Sequence, residues 1–217
     1  MQDVDGRPLR ADARQNRERI LAAARDVFVE LGAGAPLEEI SRRAGTGIAT
    51  LYRRFPDRHA LMRAVVLDSL ARTAQEARLA AEEESDAFAA LTRYMHRALD
   101  IRVAAVIPAL LEEMPIADDE LTAASEEGAR LIEELIGKAR QEGALRPDVT
   151  FADIGTLIVR LSRPLPGAFT RELNERFGHR HLDLLINGLR AAPGGDAEIG
   201  GPALSREELR AFRSPSP

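Results

Sequence analysis

The stretch Ile40-Ser41-Arg42-Arg43-Ala44-Gly45-Thr46-Gly47-Ile48-Ala49-Thr50-Leu51-Tyr52-Arg53-Arg54-Phe55-Pro56-Asp57-Arg58 decides how this chain is read. Ala44 is small enough for two helices to cross closely, and Gly45 permits the left-handed backbone of a tight turn. Gly45-Thr46-Gly47 therefore separates two short helices. The first opens at Pro36, which suits a first helical turn, with Glu38 and Glu39 beside the positive end of its dipole. Its inward face is Leu37, Ile40 and Ala44. The second runs from Ile48 to Phe55 and stops at Pro56, with Leu51 and Phe55, four apart, as its anchors. Two helices joined by a short glycine-containing turn have helix-turn-helix geometry. Gly47, Ile48, Thr50, Tyr52, Arg53 and Arg54 are left facing outward. They are small near the helix start, where base edges would lie, and hydroxylic or cationic further on, where phosphates would lie.

Outward from this stretch the pattern stays helical. Upstream, Ile20, Leu21, Ala24, Val27, Phe28 and Leu31 fall at spacings of three and four, one face of a helix over 12–31, which Gly32 and Gly34 stop. Residues 1–11 carry no hydrophobic pattern and read as a flexible arm. Downstream, Asp57 is placed to cap a helix that Leu61, Val65 and Leu70 carry past position 75. Ser85-Asp86 starts another through about Arg102, followed by an apolar stretch, Val103 to Leu111, closed by Met114-Pro115. Asp118-Asp119-Glu120 opens a long helix with Leu121, Ala124, Leu131, Leu135 and Ala139 on one stripe, ended by Gly143. Thr150-Phe151-Ala152-Asp153 is a capping-box-like start for a helix ended by Pro164 and Pro166. A last helix spans about 171–190, and the Gly/Pro/Ser-rich tail from Pro193 reads as disordered. The expected fold is all-α: a helix-turn-helix unit over 12–57, a larger helical domain over 58–192, and a tail over 193–217.

Composition agrees and narrows the function. Aromatic residues are 4% of the chain, with no tryptophan, and alanine, leucine and arginine dominate, a mixture that favours helix. The absence of cysteine excludes a disulfide framework, a thiolate metal site and a cysteine nucleophile. No apolar run approaches the roughly 18 residues of a membrane span, and the first residues have no signal-peptide core, so a soluble cytoplasmic protein is expected. The net charge of −5 divides unevenly: residues 1–64 hold 12 arginines against 9 acids, and the remainder is acidic. A basic N-terminal segment on an acidic body would approach a polyanion in one orientation. No Ser-His-Asp order, P-loop or dinucleotide fingerprint appears, so neither an enzyme nor a cofactor is expected.

From Arg17 to Val66 the sequence resembles the DNA-binding domain of the TetR family of bacterial repressors. The resemblance rests on Ala44-Gly45, Thr50-Leu51-Tyr52, Phe55 and the basic Arg58, all in register with that family's pattern. It implies that Thr50, Tyr52 and Arg58 meet backbone phosphates. Together with the outward face, the DNA-binding residues are Arg43, Thr46, Gly47, Ile48, Ala49, Thr50, Tyr52, Arg53, Arg54 and Arg58. The chain departs from the pattern in three places. Thr46-Gly47 replaces the usual Val-Ser, so the hydroxyl that caps the recognition helix is missing or moved to Thr46. Ala49 replaces a common glycine, and Pro36 stands where a phosphate-contacting threonine is frequent.

The C-terminal half, through Ile154 to Leu161 and His181 to Arg190, is similar to an actinobacterial SbtR-like subgroup of that family. The resemblance implies a homodimer seamed by the last two helices, assigned here to Ile154, Leu157, Leu161, Leu182, Leu185, Ile186 and Leu189. It also implies a pocket for an apolar or amphipathic small molecule. Phe88, Leu91, Tyr94, Met95, Met114 and Phe169 either line that pocket or pack the core. The partners implied are double-stranded operator DNA, the effector and a second copy of the chain. Asp118-Asp119-Glu120 reads as helix capping rather than a metal cluster. His179 and His181, two apart on a helix, point about 200° from each other and do not share an ion. His59 and His96 have no evident partner in the sequence. A helical enzyme and a non-regulatory interaction module are the rival readings, and the second would not need the outward face of Thr50, Tyr52, Arg53 and Arg54.

Overall fold

The computed structural model describes residues 7–102, 106–107, 110, 118–192, 199–201 and 203–208, with 7–11 as backbone. Those residues form eight named helices: α1 (Arg7–Leu31), α2 (Leu37–Arg43), α3 (Ile48–Arg54), α4 (Arg58–Glu83), α5 (Ala87–Ile101), α6 (Asp119–Gln141), α7 (Phe151–Leu161) and α8 (Arg171–Leu189). The fold is all-α, as the periodicity predicts.

The helix starts are set by side-chain oxygens that accept backbone N–H groups the helix itself leaves unpaired. Asp57 accepts from Ala60, Asp86 from Ala89, and Asp118 from Leu121. Thr150 and Asp153 form a reciprocal capping box at α7. The ends of α2 and α6 share one device. Gly45 (φ 63°) and Gly143 (φ 68°) lie in the left-handed region. At each, two successive amides fold back onto the last turn: Gly45 to Arg42 and Thr46 to Ser41, Gly143 to Arg140 and Ala144 to Ala139.

Two hydrophobic cores result. The first gathers Ile20, Leu21, Ala24, Val27 and Phe28 of α1, Leu37 and Ile40 of α2, and Leu51 and Phe55 from α3 and its end. Leu61, Met62, Val65 and Val66 of α4 close it, and Val106, Leu110 and Leu121 reach it from the C-terminal half. The unit therefore extends past position 57, because the start of α4 is part of its interior. The second core joins Ala77 and Ala80 of α4 to the inward faces of α5, α6, α7 and α8. Ion pairs cross between the halves: Arg63 of α4 with Asp118 and Glu120, and Arg171 of α8 with Asp26 of α1.

Three expectations are corrected. First, α1 begins at Arg7 rather than near Asp12. Ala11, Arg10 and Leu9 are good helix formers and propagate the helix beyond its apolar face. Second, the described part of the tail is structured: Ser205 and Glu208 cap each other, and Arg206 pairs with Glu133 near the Phe151 ring. The Ser205-x-x-Glu208 spacing is itself a capping box. Third, Ile154, Leu182 and Ile186 are core residues of the single chain, exposed by 1%, 0% and 6%, and do not offer a surface to a partner. Leu157, Leu161, Leu185 and Leu189 are half-buried. The face α8 turns outward instead carries Phe177, His181, Leu184, Leu185 and Gly188, with Leu184 62% exposed. Of the apolar stretch Val103 to Leu111, only 106–107 and 110 are described, and Met114 lies outside the described residues.

The burial of Leu182 predicts that Leu182→Ala lowers the stability of the chain by about 2–5 kcal/mol through lost burial and a residual cavity. Urea unfolding followed by circular dichroism measures it. Leu184→Ala is expected to leave the unfolding free energy of the single chain within about 0.5 kcal/mol.

Candidate nucleic-acid interface

The interface is built on α3, and its posture is set by the turn before it. The left-handed Gly45 reverses the chain, and extended Gly47 (φ −73°, ψ 145°) starts α3. No side chain caps α3, so the usual hydroxyl is absent rather than moved to Thr46. The Thr46 amide instead closes the end of α2 on the Ser41 carbonyl. Leu51 is fully buried and Phe55 nearly so, fixing the inner side of α3, and Ile48 is half-buried against the same core.

What remains outward is Gly47, Ala49, Tyr52, Arg53 and Arg54, all exposed, with Thr46 and Thr50 half-exposed at the edges. Tyr52 is 47% exposed, unusual for a large ring in a short helix that has a core available. Its hydroxyl and the guanidinium groups of Arg53 and Arg54 make no hydrogen bond or ion pair among the described residues.

The neighbouring arginines contrast with these. Arg42 and Arg43 both hold Glu39, and Arg43 also reaches Glu30 of α1 at 2.5 Å. Hydrogen bonds from Arg42 and then Arg43 hold the Glu39 carboxyl down to about 2. Arg58 donates from Nη1 to the carbonyls of Ala33 and Ala35, both at 2.7 Å. These carbonyls lie in the connection between α1 and α2, so Arg58 ties that connection to the start of α4. Arg43 and Arg58 thus brace the unit internally, whereas sequence reasoning placed both on DNA. An arginine side chain is long enough to do either, and its neighbours decide. Arg25 adds a half-buried brace, with Nη2 2.6 Å from Asp68 of α4.

The other sequence-predicted sites fall as follows. Phe88, Leu91, Tyr94 and Met95 are buried together on the inward face of α5. Burial pushes the Tyr94 hydroxyl above its ordinary range. The Arg190 guanidinium sits 4.2 Å over the Phe88 ring. Phe169 is not among them: it is 43% exposed before α8, edge-on to Phe177. A proline-containing connection put it outside the core. His96, read as unpartnered, bonds to His179 and Asp183 of α8. Its partners are more than 80 residues away, which no local signal carries. No group of three or more His, Cys, Asp or Glu able to hold a metal occurs among the described residues. Nor is any described helix long and apolar enough to cross a membrane.

A helix-turn-helix unit with an unpaired basic face, rooted in a helical domain, defines a DNA-binding protein of two-domain type. Residues 20–65 match the family described as bacterial regulatory proteins, tetR family, and residues 85–191 match the SbtR-like transcriptional regulator C-terminal domain. The chain is similar to the solved structure of a TetR transcription regulatory protein from Mycobacterium vanbaalenii, with 31% identity and a TM-score of 0.61 over 85% of this chain and 100% of that one. It is similar to a TetR transcriptional regulator from Streptomyces coelicolor, with 28% identity and a TM-score of 0.59 over 82% and 99%. The TetR-like regulator LfrR from Mycobacterium smegmatis, solved in complex with proflavine, shares the fold at 24% identity and a TM-score of 0.59, over 79% and 96%. No curated protein matches in sequence. The chain belongs to the TetR family, with an SbtR-like C-terminal half. It is a DNA-binding transcriptional regulator and not an enzyme.

The braces and the free face predict opposite phenotypes. Arg58→Ala, which strips two carbonyls of their partner, is expected to lower stability by about 1–3 kcal/mol in urea unfolding. Arg53→Ala and Arg54→Ala are expected to leave stability within about 0.5 kcal/mol. Each is expected to reduce the slope of log affinity against log salt on duplex DNA by about 1, the loss of one phosphate contact.

Proposed function

We propose that this regulator is a ligand-responsive repressor that binds a pseudo-palindromic operator as a homodimer and is released by a small-molecule effector. The observation that carries the DNA part is a contrast around α3: Arg42 and Arg43 of α2 and Arg58 at the start of α4 are satisfied within the chain, while Tyr52, Arg53 and Arg54 are exposed and unpaired among the described residues. Cations left free beside paired ones are the residues a polyanion would engage. The direct set is therefore Thr46, Gly47, Ile48, Ala49, Thr50, Tyr52, Arg53 and Arg54, with Arg43 and Arg58 holding α2 and α4 in place behind it.

The homodimer reading rests on the outward face of α8, where Leu184 and Leu185 stand beside Phe177 and Gly188. A second copy would cover it across a two-fold axis. The two copies of α3 would then enter successive major grooves about 34–36 Å apart. The effector reading rests on the inward face of α5, where Phe88, Leu91, Tyr94 and Met95 offer apolar surface with one hydroxyl. Methionine there adapts to varied shapes. The complex of LfrR with proflavine supports a small-molecule site in a protein of this fold. An effector that displaces α5 would act on α4, which is packed in both cores, and couplings of about 1–3 kcal/mol are typical for such switches.

Selection of bound duplexes from fragments of the source genome tests the reading, with the double variant Tyr52→Ala, Arg53→Ala as control. An enriched palindrome that the control loses is the expected result. Equal enrichment by the control would favour the interaction-module reading. Leu184→Glu is expected to convert the dimer to monomer in sedimentation and to weaken palindrome binding at least 100-fold. A dimer unchanged by it would place the seam elsewhere.

A further inference from the structure

Four titratable groups meet where α5 packs on α8. Nδ1 of His96 lies 2.8 Å from Nδ1 of His179. On the far side of each ring, Nε2 of His96 is 3.1 Å from Asp183 Oδ1, and Nε2 of His179 is 2.8 Å from Asp100 Oδ1. The ring planes are 10° apart and the centroids 5.1 Å apart. The 2.8 Å contact and the two ring radii account for that whole separation, so the rings meet edge to edge in one plane. This is the geometry of an in-plane hydrogen bond and not of stacking. The result is a continuous chain, Asp183–His96–His179–Asp100, alternating between the two helices.

Counting protons along this chain fixes its charge. A carboxylate only accepts, so each Nε2 must carry a proton to satisfy its aspartate. The contact between the two Nδ1 atoms needs one proton more, on one ring or the other. Three N–H protons are required, and two neutral imidazoles supply two. The chain is therefore complete only when the pair holds one extra proton. With that proton missing, two lone pairs face each other at Nδ1, or an Nε2 lone pair faces a carboxylate. With a second extra proton, two N–H groups point head-on at 2.8 Å.

We infer that His96 and His179 form a proton-responsive clasp between α5 and α8, closed by one shared proton and loosened by its loss or by a further gain. The surrounding charges fit a singly charged pair. Arg97 on α5 bonds the other oxygen of Asp100 and is itself held by Glu76 of α4. On α8, one turn before His179, Glu175 is occupied by Arg102 and Arg171. The two aspartates are thus the anions left for the pair. His181 lies against Phe177 on the other side of α8 and takes no part. The clasp rests on these contacts alone and does not depend on the chain's binding DNA.

The test is thermal unfolding of the full chain between about pH 5 and 8, the range in which histidine changes charge, for wild type and for the double variant His96→Gln, His179→Gln. The wild-type excess in Tm is expected to reach about 2–4 °C at an intermediate pH, the effect of one net hydrogen bond in a chain of this size. It should shrink on both sides. A pH-independent excess, or none, overturns the clasp. Should the variant fail to fold, nitrogen-detected titration of the wild-type imidazoles decides. Two coupled steps shared by His96 and His179 are expected. Independent single steps at His96 and His179 overturn it.

Discussion

Helix α4 is packed into two hydrophobic cores at once, and the arrangement of the molecule depends on that sharing. Its first turns, through Leu61, Met62, Val65 and Val66, close the helix-turn-helix core, and its last, through Ala77 and Ala80, close the C-terminal one. Its start is pinned twice, by the Asp57 cap and by Arg58 on the carbonyls of Ala33 and Ala35. A close-packed helix cannot bend freely between cores of crystalline density, so a displacement at one end is transmitted to the other. Arg63 with Asp118 and Glu120, and Asp26 with Arg171, add contacts between the halves. These pairs are partly exposed and individually weak, so they tune the relation of the two halves rather than create it.

On this support the outward face of α3 needs little of its own. It has seven residues, no side-chain cap and one fully buried anchor, Leu51. An isolated helix of that length would not form in water. Packing through Leu51 and Phe55 and the left-handed Gly45 turn hold it, leaving Tyr52, Arg53 and Arg54 free for a partner. The neighbouring arginines are consumed in bracing. Rigid elements behind an unsatisfied face are the arrangement that presents side chains to a ligand without ordering them afresh on binding.

The recognition unit was legible in sequence because its determinants are local. Gly45, the Leu51–Phe55 spacing and the caps at Asp57, Asp86, Asp118 and Thr150 all act within a few residues of where they stand. The Ser205–Glu208 cap was equally local and was hidden only by the composition around it. The features that escaped depend on distant partners. Helix α8 has two apolar stripes, Leu182 with Ile186 and Leu184 with Leu185, and periodicity does not say which one faces inward. Tertiary packing decides it: Leu182 and Ile186 join the core formed with the inward faces of α5, α6 and α7, and Gly178, on the same side of α8, lies beside Leu99 of α5 and the Leu161 carbonyl of α7. The internal partners of Arg43 and Arg58 were not legible, because charge is visible in sequence and the group it pairs with is not. His96 looked solitary because His179 and Asp183 arrive from the far end of the chain.

The most direct test of the central claim, that two copies of the α3 face read DNA together, is hydroxyl-radical footprinting of the chain on a duplex it selects. The account predicts two protected patches on one side of the helix, with centres about 10–10.5 base pairs apart or a multiple of that. A single patch, or protection without a helical repeat, would contradict it.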